Sequence, residues 1–107
     1  MGKNKAIKSL GNILSNLAIH KILVRYTNKP ESLHHLESEI IAYIDTAWEQ
    51  AGEFNWSDSD VEEIRSEVLT DFKRDIKRYY PDVRFTMEEA ETIVEELLEE
   101  VLRKSED

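Results

Sequence analysis

The segment from Lys3 to Tyr26 limits what this chain can fold into more than any other part of the sequence. It contains basic residues but no acidic one, and apolar residues recur along two of its sides at helical spacing. One stripe holds Ile7, Leu10, Ile13, Leu14, Leu17 and Val24, and the other holds Ile19, Ile22, Leu23 and Tyr26. A helix that is apolar on both sides has to be covered on both sides. We therefore expect the rest of the chain to pack around it.

Three amphipathic helices are predicted after this segment. Their starts are marked by Asn28 as a cap, by Ser57 followed by acidic residues, and by a capping box of Thr86 with Glu89. Pro81 ends the third helix. The predicted helices span about residues 5–26, 30–51, 57–80 and 86–104. Because the connections are short, the predicted fold is all-α, a four-helix bundle with antiparallel up-down connections in one domain, residues 1–107.

Composition narrows the classes of function. The chain has no cysteine, which excludes disulfides and thiolate chemistry. It has no secretory signal and no apolar stretch of the length that a membrane span needs. We expect a cytoplasmic protein with no cofactor and no membrane partner. The net charge of −9 is uneven, because the first 29 residues hold six basic side chains and no acidic one. This basic arm could bind the acidic remainder of the chain or an outside anion.

Two short patterns suggest metal chemistry. Glu95-Glu96-Leu97-Leu98-Glu99 resembles the first half of the metal-binding signature of the all-α nucleotide pyrophosphohydrolases. The resemblance implies a Mg²⁺ site that needs further carboxylates from another helix, and the Glu-x-x-Asp that follows in that family has no counterpart here. Glu31 and His34 have the Glu-x-x-His spacing of di-iron bundles, but such sites need a second pair. An enzyme is therefore not the favoured interpretation, and no metal site is predicted.

Three residues stand where a helical pattern would not ordinarily place them. Gly11 costs helix stability, roughly 1 kcal/mol relative to Ala, and is tolerable where another backbone comes close. Arg65 falls within the apolar stripe of the third helix, so it must extend to solvent, pair with an acid or point into an interface. We favour extension to solvent. His20 lies in the two-sided part of the first helix and could make a polar contact at a partly buried edge.

The last two predicted helices resemble each other at a constant offset of 29 residues. Trp56-Ser57 with Asp60 corresponds to Phe85-Thr86 with Glu89, and the apolar residues that follow match at the same offset. A duplication would explain this match. Two capped amphipathic helices also resemble each other for local reasons, and repeat arrays generally need at least three units. We favour the local explanation.

The third helix provides the best candidate for nucleic-acid contact. Its basic side chains Lys73, Arg74, Lys77 and Arg78 share one helical side, with Tyr79, Tyr80 and Arg84 nearby. Phosphate binding needs such clustering. Asp71 and Asp75 interleave with it, however. The same residues could instead compensate the helix dipole and form salt bridges to the acidic last helix.

The favoured hypothesis is a small non-catalytic interaction or assembly protein that self-associates through its first helix. One protomer is expected to cover only one apolar side of that helix, which leaves Ile19, Ile22, Leu23 and Tyr26 as an oligomer interface. A homodimer is favoured, and another protein is an alternative partner. The alternative function is a small nucleic-acid-binding or regulatory protein using Lys73, Arg74, Lys77, Arg78 and Arg84 with the basic arm. A metal-dependent nucleotide hydrolase is a third, less favoured alternative.

Overall fold

The computed structural model describes residues 2–27 and 29–103, and the helices in this part of the chain confirm the all-α bundle. They are α1 (Lys3–Tyr26), α2 (Pro30–Ala51), α3 (Asp58–Tyr79) and α4 (Met87–Leu98), which continues as a π-helical turn over Glu99–Arg103. The predicted bounds agree to within two residues, except that the last helix changes its hydrogen-bonding pattern after Leu98. The predicted cap Asn28 and the predicted end at Lys104 lie outside the described residues.

The starts of α3 and α4 follow the capping signals in the sequence, but not equally. At α3, Ser57 accepts a hydrogen bond from the Asp60 backbone N–H at 3.1 Å, and the Asp60 carboxylate accepts one from the Ser57 N–H at 3.0 Å. At α4, Thr86 accepts from the Glu89 N–H at 3.0 Å, but the carboxylate of Glu89 contacts α1 instead. The predicted second capping box is therefore formed in one direction only.

Two ion pairs at opposite ends of α1 show how the helices run. Lys3 lies 2.6 Å from the carboxylate of Asp60, so α1 and α3 begin at the same end of the bundle and are parallel. Arg25 lies 2.8 Å from Glu89, so the end of α1 meets the start of α4 and these two helices are antiparallel. Both pairs join the basic arm to the acidic remainder of the chain. The Lys3 contact holds the pKa of Asp60 below its ordinary value, and hydrogen bonds from Tyr26 and, second, from Arg25 do the same for Glu89.

The second apolar side of α1 is covered by the chain itself. Ile19 is 4% exposed and Ile22 is 0% exposed, and both belong to the core. The cause is a close approach of α3 at Gly11, where an added Cβ would lie 2.6 Å from Cβ of Glu67. The expectation that one protomer can cover only one side of α1 is therefore wrong. Sequence periodicity shows that a side is apolar, but it does not show that a third helix can reach it.

α2 lies on another side of α1 and is the least buried helix. It runs antiparallel to α1, as the hydrogen bond from Ser9 to Gln50 at 3.0 Å near its end shows. Only Ala47 and Ala51 are buried along its whole length, which the structure describes completely. The other residues of its apolar stripe, Leu33, Leu36, Ile40, Tyr43 and Ile44, are half-buried. Because α2 packs mainly on α1 and has little contact with α3, its flanks remain open.

Candidate interaction surface

One flank of α2 opens into a groove of about 350 Å³ between α1, α2 and α4, which we call the α2–α4 wedge. Its lining combines apolar Val24, Ile40, Ile41 and Ile93 with charged Lys21, Arg25, Glu37 and Glu96. The wedge exists because α2 packs against the π-helical turn but has little contact with α4.

Ile41 is the most exposed apolar residue of the wedge, with 65% of its surface accessible. Trp48 follows two helical turns later on the same side of α2 and is also exposed. The wedge residues Lys21, Glu37 and Glu96 form no ion pair within residues 2–27 and 29–103. An exposed apolar strip is therefore bordered by available charges of both signs. The sequence signal for this surface was Ile41 itself, an apolar residue outside the main stripe of α2.

The opposite flank of α2 opens into a second groove of about 490 Å³, which we call the tyrosine groove. Leu23, Leu36 and Val83 provide its apolar lining, and Tyr26 and Tyr80 border it with part of each ring exposed. The first half of α2 thus stands on α1 with an opening on each side. None of the residues 30–40 that form this half of the helix is fully buried.

A polar cluster joins this first half of α2 to α1. Glu39 of α2 contacts Nε2 of His20 on α1 through Oε2, and Nε2 of His35 through Oε1 at 2.7 Å. The second ring nitrogen of His20, Nδ1, lies 2.7 Å from the carbonyl oxygen of Asn16. The His20 ring also meets the edge of Tyr43 at 5.3 Å between centroids. The hydrogen bond from His20 holds the pKa of Glu39 below its ordinary value, with His35 contributing.

Of the four residues predicted as an oligomer interface, the structure leaves only two at a surface. Ile19 and Ile22 are buried in the core of their own protomer, so they are not available to a partner. Leu23 and Tyr26 line the tyrosine groove. The Tyr26 hydroxyl donates to Glu89 at 2.6 Å, and this bond raises the pKa of Tyr26.

The predicted basic surface of α3 is present and points outward. Lys73, Lys77 and Arg78 are exposed, and Arg84 is exposed in the loop that follows. Arg74 is exposed as well, but its guanidinium contacts Asp75 at 2.9 Å and Asp71 at 3.2 Å. These contacts raise its pKa and neutralise part of its charge. The Cζ atom of Arg78 lies 5.6 Å from the centre of the Tyr79 ring, and Tyr79 is 62% exposed.

Arg65 pairs with acids instead of extending freely to solvent, which corrects the favoured prediction. Its Nε and Nη2 donate to the carboxylate of Glu95 on α4 at 2.6 and 2.9 Å, and Nη1 contacts Glu62. These hydrogen bonds, chiefly the two that Arg65 donates to Glu95, raise the pKa of Arg65. The pair links the outer edges of α3 and α4, so Glu95 has a structural role.

The acidic residues that resemble a hydrolase signature are not assembled as such a site would need. Glu95, Glu96 and Glu99 border a shallow depression whose described lining comes from α4 and its π-helical continuation alone. Among the residues that the structure describes, no other helix adds a carboxylate to this lining. Within the described part of the chain, no three His, Asp or Glu side chains converge as they would around a metal ion. Glu31 and His34 are both exposed in the first turns of α2.

Across residues 2–27 and 29–103, none of the helices combines the length and apolarity that crossing a bilayer requires. No family model, no curated protein and no solved structure matches the chain.

Proposed function

We propose that the protein is a non-catalytic helical assembly module that forms a homodimer through the α2–α4 wedge. The observation that carries this proposal is the 65% exposure of Ile41 beside a partly apolar groove that its own chain leaves open. Exposed apolar strips with a charged border are typical of protein interfaces. The surface differs from the one that the sequence suggested, since α2 replaces α1 as the contact helix. A cytoplasmic location stays a prediction from the sequence.

A second copy of this chain is the occupant that the charges favour. The wedge carries Lys21 and Arg25 on α1, and Glu37 and Glu96 on α2 and α4. A twofold dimer brings the same surface of two copies together, so the surface must be complementary to itself. Charges of both signs on one surface are compatible with this condition, because the partner's Lys21 can then meet an anion of this protomer. A strongly basic partner would be opposed by Lys21, and a strongly acidic one by Glu37 and Glu96.

Ile41→Glu should weaken self-association about tenfold or more, because a central apolar contact becomes a buried carboxylate. The substitution should change the free energy of unfolding by no more than about 0.5 kcal/mol, since the side chain is exposed in the protomer. Sedimentation equilibrium measures the association constant, and urea denaturation at a dilution that gives monomers measures stability. Ala42→Glu is the matched control, because residue 42 is exposed on the same helix and the charge change is identical.

Two results would contradict the proposed dimer. One is a wild-type chain that remains monomeric at high concentration. The other is an association constant that Ile41→Glu and Ala42→Glu leave equally unchanged.

A second candidate function is supported by the outward basic surface of α3. Lys73 and Lys77 make no ion pair with any described residue, and Tyr79 offers an exposed ring beside Arg78. Cations that track a phosphate backbone, together with an aromatic ring on which a base can stack, are the elements of single-strand binding. The overall charge of −9 and the pairing of Arg74 both weigh against tight binding.

If this second candidate is right, single-stranded RNA or DNA should shift in a gel at low ionic strength, and the shift should vanish steeply as salt is added. Lys77→Glu should abolish it. Lys5→Glu makes an equal charge change in the basic arm at the other end of the bundle, and it should retain most of the shift if the α3 surface alone binds. The absence of a shift for the wild-type chain at low salt would exclude this function for the surface.

A further inference from the structure

Both ring nitrogens of His20 face oxygen atoms of the chain. Nδ1 faces the Asn16 carbonyl oxygen at 2.7 Å, and Nε2 faces a carboxylate oxygen of Glu39. Both partners accept hydrogen bonds and neither can donate one in this state. A neutral imidazole donates from only one nitrogen, whereas the imidazolium donates from both. Only the charged form of His20 can therefore donate to both acceptors at once, to Asn16 within α1 and to Glu39 across to α2.

This bridge from His20 to Glu39 is a large part of what attaches the first half of α2 to α1. The first half of α2 has no buried side chain, and grooves open on both of its flanks. The apolar contacts that hold it are half-buried, so one charged hydrogen bond between Glu39 and α1 is a large share of its attachment. In contrast, Ala47 and Ala51 anchor the second half of α2 without any titrating group.

We propose that His20 and Glu39 form a pH-responsive clamp that holds the first half of α2 on α1 while His20 is protonated and loosens it when His20 loses its proton. On deprotonation the ring loses its positive charge and one of its two N–H donors, so the contact with Glu39 is reduced from an ion pair to at most a hydrogen bond from a neutral ring. The clamp thus weakens as the pH rises and His20 loses its proton.

The surroundings of the clamp favour the closed state at mildly acidic pH. Facing His20 from α2 are Glu39, His35 and the Tyr43 ring, and on α1 the next charged residue is Lys21. The carboxylate of Glu39 is the anion of this group. The pKa of Glu39 is lowered from the ordinary 4.5. The stability that Glu39 contributes is therefore fully present above pH 4.5 and is lost as the pH falls through the lowered pKa. The clamp is therefore strongest at pH values where Glu39 is ionised and His20 is still protonated.

The clamp also regulates the surface proposed for assembly, and this consequence rests on the proposed function. The α2–α4 wedge is built by α1, α2 and α4 together, so its shape depends on α2 remaining docked. The homodimer should accordingly be tighter at pH 5.5 than at pH 7.5. In His20→Gln, the association constant should change less between these two pH values.

His20→Gln tests the clamp in the dilute monomer. The wild-type Tm should fall by about 4 °C or more between pH 5.5 and 7.5, and His20→Gln should remove most of this fall. His34→Gln is the matched control, because His34 is exposed on α2 and does not contact Glu39. Ring ¹⁵N NMR shifts should show both nitrogens of His20 protonated at pH 5.5, and its titration should shift the amide signals of the first half of α2.

The clamp is refuted if His20→Gln retains the pH dependence of the wild-type chain, or if His34→Gln removes it equally well. A His20 ring that is neutral at pH 5.5 would refute it as well. These measurements on the monomer are independent of dimer formation. A chain that stays monomeric at both pH values would therefore count against the proposed assembly, while the Tm and NMR results would still decide on the clamp.

Discussion

Ile19→Glu should unfold the protein or cost about 4 kcal/mol or more of its stability. Ile19 lies in the core with 4% of its surface exposed, so the variant loses a buried apolar side chain and gains a carboxylate with no partner. Domains of this size have only about 5–15 kcal/mol of stability in total. Circular dichroism should show a large loss of helix at 25 °C or a greatly reduced midpoint in urea.

This result distinguishes a second apolar side of α1 that is buried in the protomer from one that forms an oligomer interface. If the second apolar side of α1 were an oligomer interface, Ile19→Glu would give a folded monomer with nearly normal stability. Ile41→Glu makes the same chemical change on an exposed site of α2 and is the control for added charge. A folded, stable Ile19→Glu monomer would contradict the packing described for α1.

Gly11→Ala should destabilise the protein by about 2 kcal/mol, although the same change in an open helix stabilises by roughly 1 kcal/mol. The new Cβ would lie 2.6 Å from Cβ of Glu67, an atom that no side-chain rotation can move away. α1 and α3 must therefore separate, which disturbs the side of α1 that carries Ile22. Urea denaturation monitored by tryptophan fluorescence measures the change.

Asn12→Ala is the control for helix propensity, because Asn12 is the next residue on α1 and is exposed. It should be neutral or slightly stabilising. Glu67→Gly combined with Gly11→Ala should recover part of the loss, and a double-mutant cycle isolates this coupling. Purely additive effects in the cycle would show that α1 and α3 do not meet at Gly11.

The sequence contained enough information for the helices and their ends. Pro30, Ser57 and Pro81 act on their own neighbours through missing donors, side-chain caps and restricted backbone angles. Such local effects can be read without coordinates, and the structure places α2 and α3 within one residue of the predicted bounds. The π-helical turn after Leu98 has no comparable local signal.

The arrangement of the helices could not be derived in the same way. Gly11 indicated that some backbone comes close to α1, but which helix approaches depends on Glu67, far away in sequence. The same holds for His20 and Glu39, whose contact requires the register between α1 and α2. An apolar side that periodicity identifies can be covered by the chain itself or by a partner. Only the packing of α3 on α1 decides between these for Ile19.

The central position of α1 affects how the chain is made. α1 packs against α2, α3 and α4, and all three follow it in the chain. During synthesis α1 therefore emerges before the three helices that cover it, and it receives its last cover only when α4 has emerged. Until then part of its apolar surface stays exposed, and exposed apolar surface of this kind makes a folding chain prone to aggregate.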